Sequence, residues 1–514
     1  MTVPPRTGAD HLTTTYETVR EREYDYIVLG GGGTAAAFID GVRARRPSAR
    51  ILVLEQGPYL LPDHVQNLGL AYQPLMARAT ATPWRSDGDL AIVSQVPFLG
   101  GRTLVWSGCV PRPTPDQLSS WPAAITDGLR EQWKAAQAWL GAAPASTLGP
   151  EFGGMHRRIR ATVADALPRD PRLLAKDADL LDAPLAHPND GSGGRSKFSA
   201  IVPLVRATAA GAGVDIVTEC FVERLERAGG TVTTIRTARG PLSTNAATVV
   251  LALGTSEATG LVLRSRRTLA APLAGQNLSG NAASFFTCRV PRSPFGPLRD
   301  VGPELSALYI DGRTADREYH LHVSAMATTD LLRDRERIFR LMPDMFGDNT
   351  PDLASDDGHV VLVVHGLAEV AGARGDGQRS RIELDGDTTV GHFALDRSDR
   401  AAWDAMDDAA DLVVAALAGR DGAEYWSPVS RMWNRRAPDR RMPFAFHETG
   451  TLRMGDDPDR AATDVDGRLN GTTNVYVLGG AAFPTQGSWN PFLTMVALAF
   501  RLSEHLESRR EGAP

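Results

Sequence analysis

Long uninterrupted apolar runs open and close this chain, and a mixed pattern fills its middle. Tyr24-Asp-Tyr-Ile-Val-Leu29, Ile51-Leu-Val-Leu-Glu55, Ile216-Val-Thr218 and Thr248-Val-Val-Leu-Ala-Leu-Gly254 lack the alternation of a half-exposed strand. They predict strands buried on both faces, as in a parallel sheet. After the first of them, a run with Phe38 and Val42 on one face predicts a helix to about Arg46. A β-branched run from Asn474 ends on Gly479-Gly480 and turns through Pro484, and a helical pattern covers 492–506. In the middle, strands at 319–325, 359–364 and 381–384 alternate with helices such as 401–417, which predicts an α+β layer. Residues 57–122 are punctuated by Pro and Gly, and Asp190-Gly-Ser-Gly-Gly194 predicts a loop.

These patterns predict an α/β fold in which a Rossmann-like nucleotide-binding domain is interleaved with an α+β substrate-binding domain. The first takes 24–115, 198–289 and 441–510, the second 116–197 and 290–440, and residues 1–23 form a loosely held N-terminal arm. A chain of 514 residues exceeds one ordinary core, in keeping with that division.

Charge and cysteine content narrow the classes. A net charge of −6 argues against a nucleic-acid partner, which needs a basic surface. Cys109, Cys220 and Cys288 are widely spaced and form no CxxC pair, which fits a reducing compartment and excludes a redox-active dithiol. The first 23 residues carry no signal-peptide core, and no run approaches the ~20 apolar residues of a membrane span. The expectation is a cytoplasmic protein with no membrane partner.

The clearest chemistry-bearing motif is Gly30-x-Gly32-x-x-Ala35, directly after a strand and at the start of a helix. A first glycine allows the tight turn, and a second admits a pyrophosphate to the helix N-terminus. A small third residue lets helix and strand pack closely. Gly33 and Thr34 complete the turn, and Glu55, 25 residues beyond Gly30, is suited to accept bonds from an adenosine ribose. The motif does not distinguish FAD from NAD.

Three further segments decide that point by resemblance: Leu99-Gly100-Gly101-Arg102-Thr103-Leu-Val105-Trp106-Ser107-Gly108, His447-Glu-Thr-Gly-Thr-Leu-Arg-Met-Gly455, and Leu478-Gly-Gly480 through Pro484-Thr485 to Asn490-Pro491. Together with the glycine motif they resemble the glucose–methanol–choline (GMC) flavoprotein oxidoreductases, most closely the pyranose oxidase and glycoside oxidase branch. The resemblance runs in order from Tyr24 to about Leu506 and is weakest over 290–440. It implies FAD, with Gly100, Gly101, Arg102, Thr103, Trp106 and Ser107 along the cofactor and Ser107 near flavin N5. Val222, Gly254, Gly480 and Pro491 complete the implied contacts, and Gly275-Gln-Asn277-Leu278 matches a family turn. Where the branch often carries a histidine bonded covalently to flavin, this chain has Val105, which implies non-covalent FAD and leaves oxygen or another compound as electron acceptor.

Flavin-dependent alcohol oxidation needs a base for the hydroxyl proton and a polar group that fixes the oxygen. Histidine titrates near working pH, and asparagine donates without titrating. His447 and Asn490, 43 residues apart, coincide with the family's His–Asn pair, which makes His447 the implied base and Asn490 its partner. Glu448 and Arg453 are expected to be structural ion partners, and His365 and His392 could line the substrate cavity. His320-Leu-His322 has strand spacing but no apparent third ligand; exposed or otherwise satisfied histidines, and no metal, are expected. The implied activity is oxidation of a CH–OH in a sugar, glycoside or polyol. Alternatives are a dehydrogenase with another acceptor, a tailoring oxidase of a sugar- or aminosugar-bearing natural product, an NAD-dependent dehydrogenase, and a non-catalytic flavoprotein. Oligomeric state stays open.

Overall fold

Two sheets organise the chain in the computed structural model, which describes residues 8–167, 180–189, 194–209, 213–269, 271–344, 350–354, 358–372 and 380–511. The first has five strands, every neighbouring pair parallel, in the order Val475–Val477, Thr248–Leu251, Tyr26–Leu29, Ile51–Leu54, Val214–Val217. Their side chains are almost wholly buried, as uninterrupted apolar runs require. Helix Gly33–Arg45 follows the central strand and packs against helix Phe492–Glu511, which also meets helix Ala123–Leu140. The chain leaves the central strand toward Ile51–Leu54 on one side and later fills the other with Thr248–Leu251. That reversal creates a crevice at the carboxyl ends of the strands, the usual ligand position in such sheets.

The second sheet has nine strands among the described residues. Its spine is Ser279–Pro291, His359–Val370, Glu318–Ala327 and Glu304–Arg313, all antiparallel, with helix Arg397–Ala418 packed on one face. Strand Arg441–Thr449 pairs with Ser279–Pro291 and carries the chain from this sheet back toward the first. The expected boundary after residue 289 thus falls inside a strand, and 441–449, assigned from sequence to the nucleotide domain, hydrogen-bonds within the large sheet.

The N-terminal arm is not loose over its described part. Helix Tyr16–Arg20 buries Tyr16 and Val19, and the Tyr16 hydroxyl donates to the Gly240 carbonyl at 2.7 Å. Leu12, Tyr16 and Val19, scattered through an otherwise polar stretch, were too weak a signal for this docking. Four of the five residues of the expected 190–194 loop lie outside the described residues.

Candidate active site

The crevice above the parallel sheet is lined with backbone. Gly30 has φ +94°, and a Cβ there would stand 2.6 Å from the Ala252 carbonyl oxygen, so the turn admits only glycine. Gly32 caps helix Gly33–Arg45 with no side-chain bond to the first turn, and a Cβ on it would meet nothing within 4 Å. Open space over bare helix N–H groups suits a pyrophosphate. Thr34 and Ala35 follow in the first helical turn; a Cβ on Gly479 would lie 3.8 Å from the Thr34 methyl, which joins this turn to the one preceding Gly480.

Sequence-distant segments converge here. The Gly100 N–H donates to the Gly31 carbonyl at 2.8 Å, and a Cβ on Gly101 would lie 3.3 Å from the Gly32 Cα. Thr103 accepts the Ala200 N–H at 2.9 Å. The Trp106 and Phe492 rings meet edge to face at 4.8 Å, just after Pro491. Ser107 Oγ faces the Cys109 N–H at 3.4 Å. Gly254 caps helix Thr255–Arg264, and Val222 opens a small antiparallel sheet two residues beyond Cys220, whose N–H donates to the Glu55 carbonyl at 2.9 Å.

Glu55 is buried, and its carboxylate accepts the N–H groups of Gly31 at 2.8 Å and Gly57 at 3.0 Å. Burial raises its pKa, partly offset by those backbone donors and that of Gln56. Within the protein this carboxylate ties two loops together.

His447 sits where the large sheet slips register. Between the pairs Ser279↔Thr449 and Asn281↔Phe446, strand Arg441–Thr449 carries one extra residue. His447 takes φ +54° there, a left-handed conformation that costs a non-glycine residue roughly 1–2 kcal/mol. Bulges of this kind re-aim a side chain beside active sites. The next residue anchors it: Glu448 is clamped by Arg102 at 2.8 and 3.1 Å, and its carbonyl accepts the Thr255 hydroxyl at 2.5 Å. Arg453 instead donates to the Arg460 carbonyl at 2.7 Å. Antiparallel to nothing in either sheet, 450–454 runs along 480–482 through N–H bonds from Gly450, Leu452 and Met454, stapling the strand end to the Gly479-Gly480 turn.

Asn281 determines the tautomer of His447. Its amide nitrogen donates to the Gly487 carbonyl at 3.0 Å, so its oxygen, 2.8 Å from His447 Nδ1, must accept. Nδ1 therefore carries the proton and Nε2 keeps its lone pair. Burial, followed by His365, Arg102 and His322, pushes His447 down to about 3. The ring is neutral at ordinary pH and can accept a proton at Nε2.

Asn490 is buried, and its side-chain oxygen lies 3.0 Å from His322 Nε2, so it does not cap the following helix. The His322 and His365 rings meet at 5.8 Å, and His365 meets Phe446, the neighbour of His447, at 5.8 Å, which brings the two segments into one region. Asn277 and Asn281 hold the 484–487 loop through the Pro484 and Gly487 carbonyls, at 3.4 and 3.0 Å.

The histidine pair departs from expectation. His320 and His322 are both buried; His320 stacks on Tyr309 at 4.6 Å. His322 stands directly across the sheet from His365, and each presents Nδ1 to Asp344, at 3.4 and 3.8 Å. Among the described residues these three side chains offer ligand-type atoms within 4.8 Å of one another. The companion residues that sequence did not supply come from another strand and from the segment after a helix. His392 stands on a separate three-stranded sheet beside Asp89 and Glu383. Asn281, His322 and Asp344 went unrecognised as site residues; the available signal was a polar residue inside each otherwise apolar strand, and Asp344 offered none.

The comparisons with known proteins agree with this architecture. Residues 376–499 match the C-terminal family model described as GMC oxidoreductase. The chain is similar to a 6'''-hydroxyparomomycin C oxidase of Streptomyces lividus, with 24% identity over 98% of this chain and 95% of that protein. An uncharacterised GMC-type oxidoreductase of Mycobacterium tuberculosis is 25% identical over 94% of this chain and 76% of its own length. A paromamine 6'-oxidase of Streptomyces fradiae is 46% identical over a short stretch, 11% of this chain and 10% of that protein. The fold matches the crystal structure of pyridoxine 4-oxidase from Mesorbium loti with a TM-score of 0.62 at 17% identity, covering 95% and 99% of the two chains. Motif order, interleaved sheets and these likenesses point one way: residues 376–499 match the GMC oxidoreductase C-terminal model, and the chain is similar to proteins of that type over nearly its whole length.

Proposed function

We propose that this protein is a FAD-dependent oxidase or dehydrogenase of a sugar-like CH–OH, with an aminosugar-bearing compound as the favoured substrate class. The observation that carries this reading is a neutral His447 whose Nδ1 proton is held by Asn281 and whose Nε2 keeps its lone pair. The substrate class rests on the relatives named for oxidising paromamine and hydroxyparomomycin. The glycine-walled crevice, with open space at Gly32 and an uncapped helix start, fits the diphosphate of a dinucleotide.

Bound FAD supplies, at N5, the acceptor for the hydride from the carbinol carbon. The protein does the rest. His447 Nε2 takes the hydroxyl proton, and Asn281 keeps the Nδ1 proton in place so that the Nε2 lone pair stays available. The Asn490 amide donates to the oxygen as charge builds on it, a contact stronger in the transition state than in the bound alcohol. Glu448 and Arg102 hold the bulge that aims the ring. Val105 at the position of the branch's linking histidine favours non-covalent FAD, and with it a second reading in which the acceptor is not oxygen.

Anaerobic titration of the yellow protein with paromamine, paromomycin, glucose, simple glycosides and pyridoxine tests the reading. Bleaching by an aminosugar supports it, and admission of air separates oxidase from dehydrogenase by how fast the colour returns. A flavin that no sugar reduces while pyridoxine does would reject the substrate class.

A further inference from the structure

We propose that Asp344 and His322 form a buried relay that fixes the orientation of the Asn490 side chain and leaves its amide N–H groups for the substrate oxygen. This rests on the role assigned above to Asn490. A rotated asparagine amide presents a carbonyl in place of a donor, and an acceptor aimed at a developing alkoxide would oppose the reaction. Something must therefore choose between the two rotamers.

The geometry points to His322. Its Nδ1 faces the Asp344 carboxylate at 3.4 Å, and a carboxylate only accepts, so Nδ1 carries a proton. Its Nε2 lies 3.0 Å from Asn490. Were Nε2 bare, the ring would take a hydrogen bond from Asn490 Nδ2 and turn the amide donors away from the substrate. With both nitrogens protonated, the ring accepts only the amide oxygen. The surroundings favour that cation. Burial opposes it, but Cys109 and Asp344 outweigh burial and hold His322 well above its ordinary range. Asp344 in turn is held well below the carboxylate range by His322 and His365 against its own burial. Among the described residues, Asn490 makes no hydrogen bond but the one to His322, so its amide nitrogen is the end left open. His322 touches neither proton nor hydride; it is a positioning residue.

The test is the anaerobic rate of flavin reduction by paromamine, or by the panel sugar that reduces the parent, in the holoenzyme. His322→Leu removes the donor and is expected to slow reduction at saturating substrate about 100-fold with little change in substrate affinity, the scale of a misplaced catalytic group. His322→Gln retains one donor toward Asn490 and should recover much of that loss. In an Asn490→Ala background, His322→Leu should cost almost nothing further, because the two residues act as one unit. Flavin content and melting temperature establish that each variant is folded, and Asp344→Asn serves where His322→Leu is not. Multiplying losses in the double variant would overturn the relay alone. Full-rate reduction by Asn490→Ala would overturn the role of Asn490 and the relay with it. One equivalent of tightly held divalent metal in the parent, absent from Asp344→Asn, would make His322, Asp344 and His365 ligands and also overturn it.

Discussion

A histidine held at positive φ and pushed to low pKa by its surroundings has two measurable consequences. As the proposed base, His447 stays deprotonated down to about pH 3. Flavin reduction at saturating substrate should therefore show no acid limb near pH 6.5, and rates between pH 5 and 8 will check this. An apparent pKa of 6–7 in that profile would point to a different base. His447→Asn, whose side chain tolerates the left-handed backbone, should keep the fold and lose about 10²–10⁴ in rate. The second consequence is for stability. The folded pKa lies below the unfolded value of about 6.5, so the unfolded chain binds the proton first as pH falls. This contribution is complete above pH 6.5 and is lost between there and about pH 3. Thermal unfolding should fall more steeply from pH 6 to 4 in the parent than in His447→Asn.

At the scale of elements, two glycines in one turn make opposite predictions. Gly30→Ala forces a Cβ at φ +94° against the Ala252 carbonyl, and should destabilise the protein by about 1 kcal/mol or more even without cofactor. Gly32→Val adds a side chain to open space, so the apoprotein should melt near the parent temperature while FAD retention collapses. Melting curves with and without FAD separate the two; a Gly32→Val protein that holds FAD as the parent does would move the diphosphate elsewhere. The strand, glycine turn and helix of this element were legible because each announces itself over a few adjacent residues. The bulge at His447 was not, because it depends on how 441–449 registers against the distant strand Ser279–Pro291.

For the whole molecule, the arm and the cofactor attachment are the features to probe. Deleting residues 1–20 removes Leu12, Tyr16 and Val19 from the core and should cost ~4–9 kcal/mol, read by denaturant unfolding. Acid precipitation should release the flavin into the supernatant, since Val105 offers no nitrogen to bond it; flavin retained in the pellet would contradict non-covalent attachment. Among the described residues no helix is long and apolar enough to cross a membrane.

Local sequence by itself determined the parallel-sheet strands, the Gly30–Gly32 turn and the long helices, because buried strands need continuous apolar runs and tight turns need glycine. The order of its motifs also carried the resemblance to the GMC oxidoreductases and singled out His447 and Asn490 as candidates. Only the tertiary structure decided what surrounds them. Asn281 sets the His447 tautomer, and His322 with Asp344 stands behind Asn490, through contacts between residues 22 to 168 positions apart. Such contacts are set by strand register and by packing of one layer on another, and no short window of sequence records either.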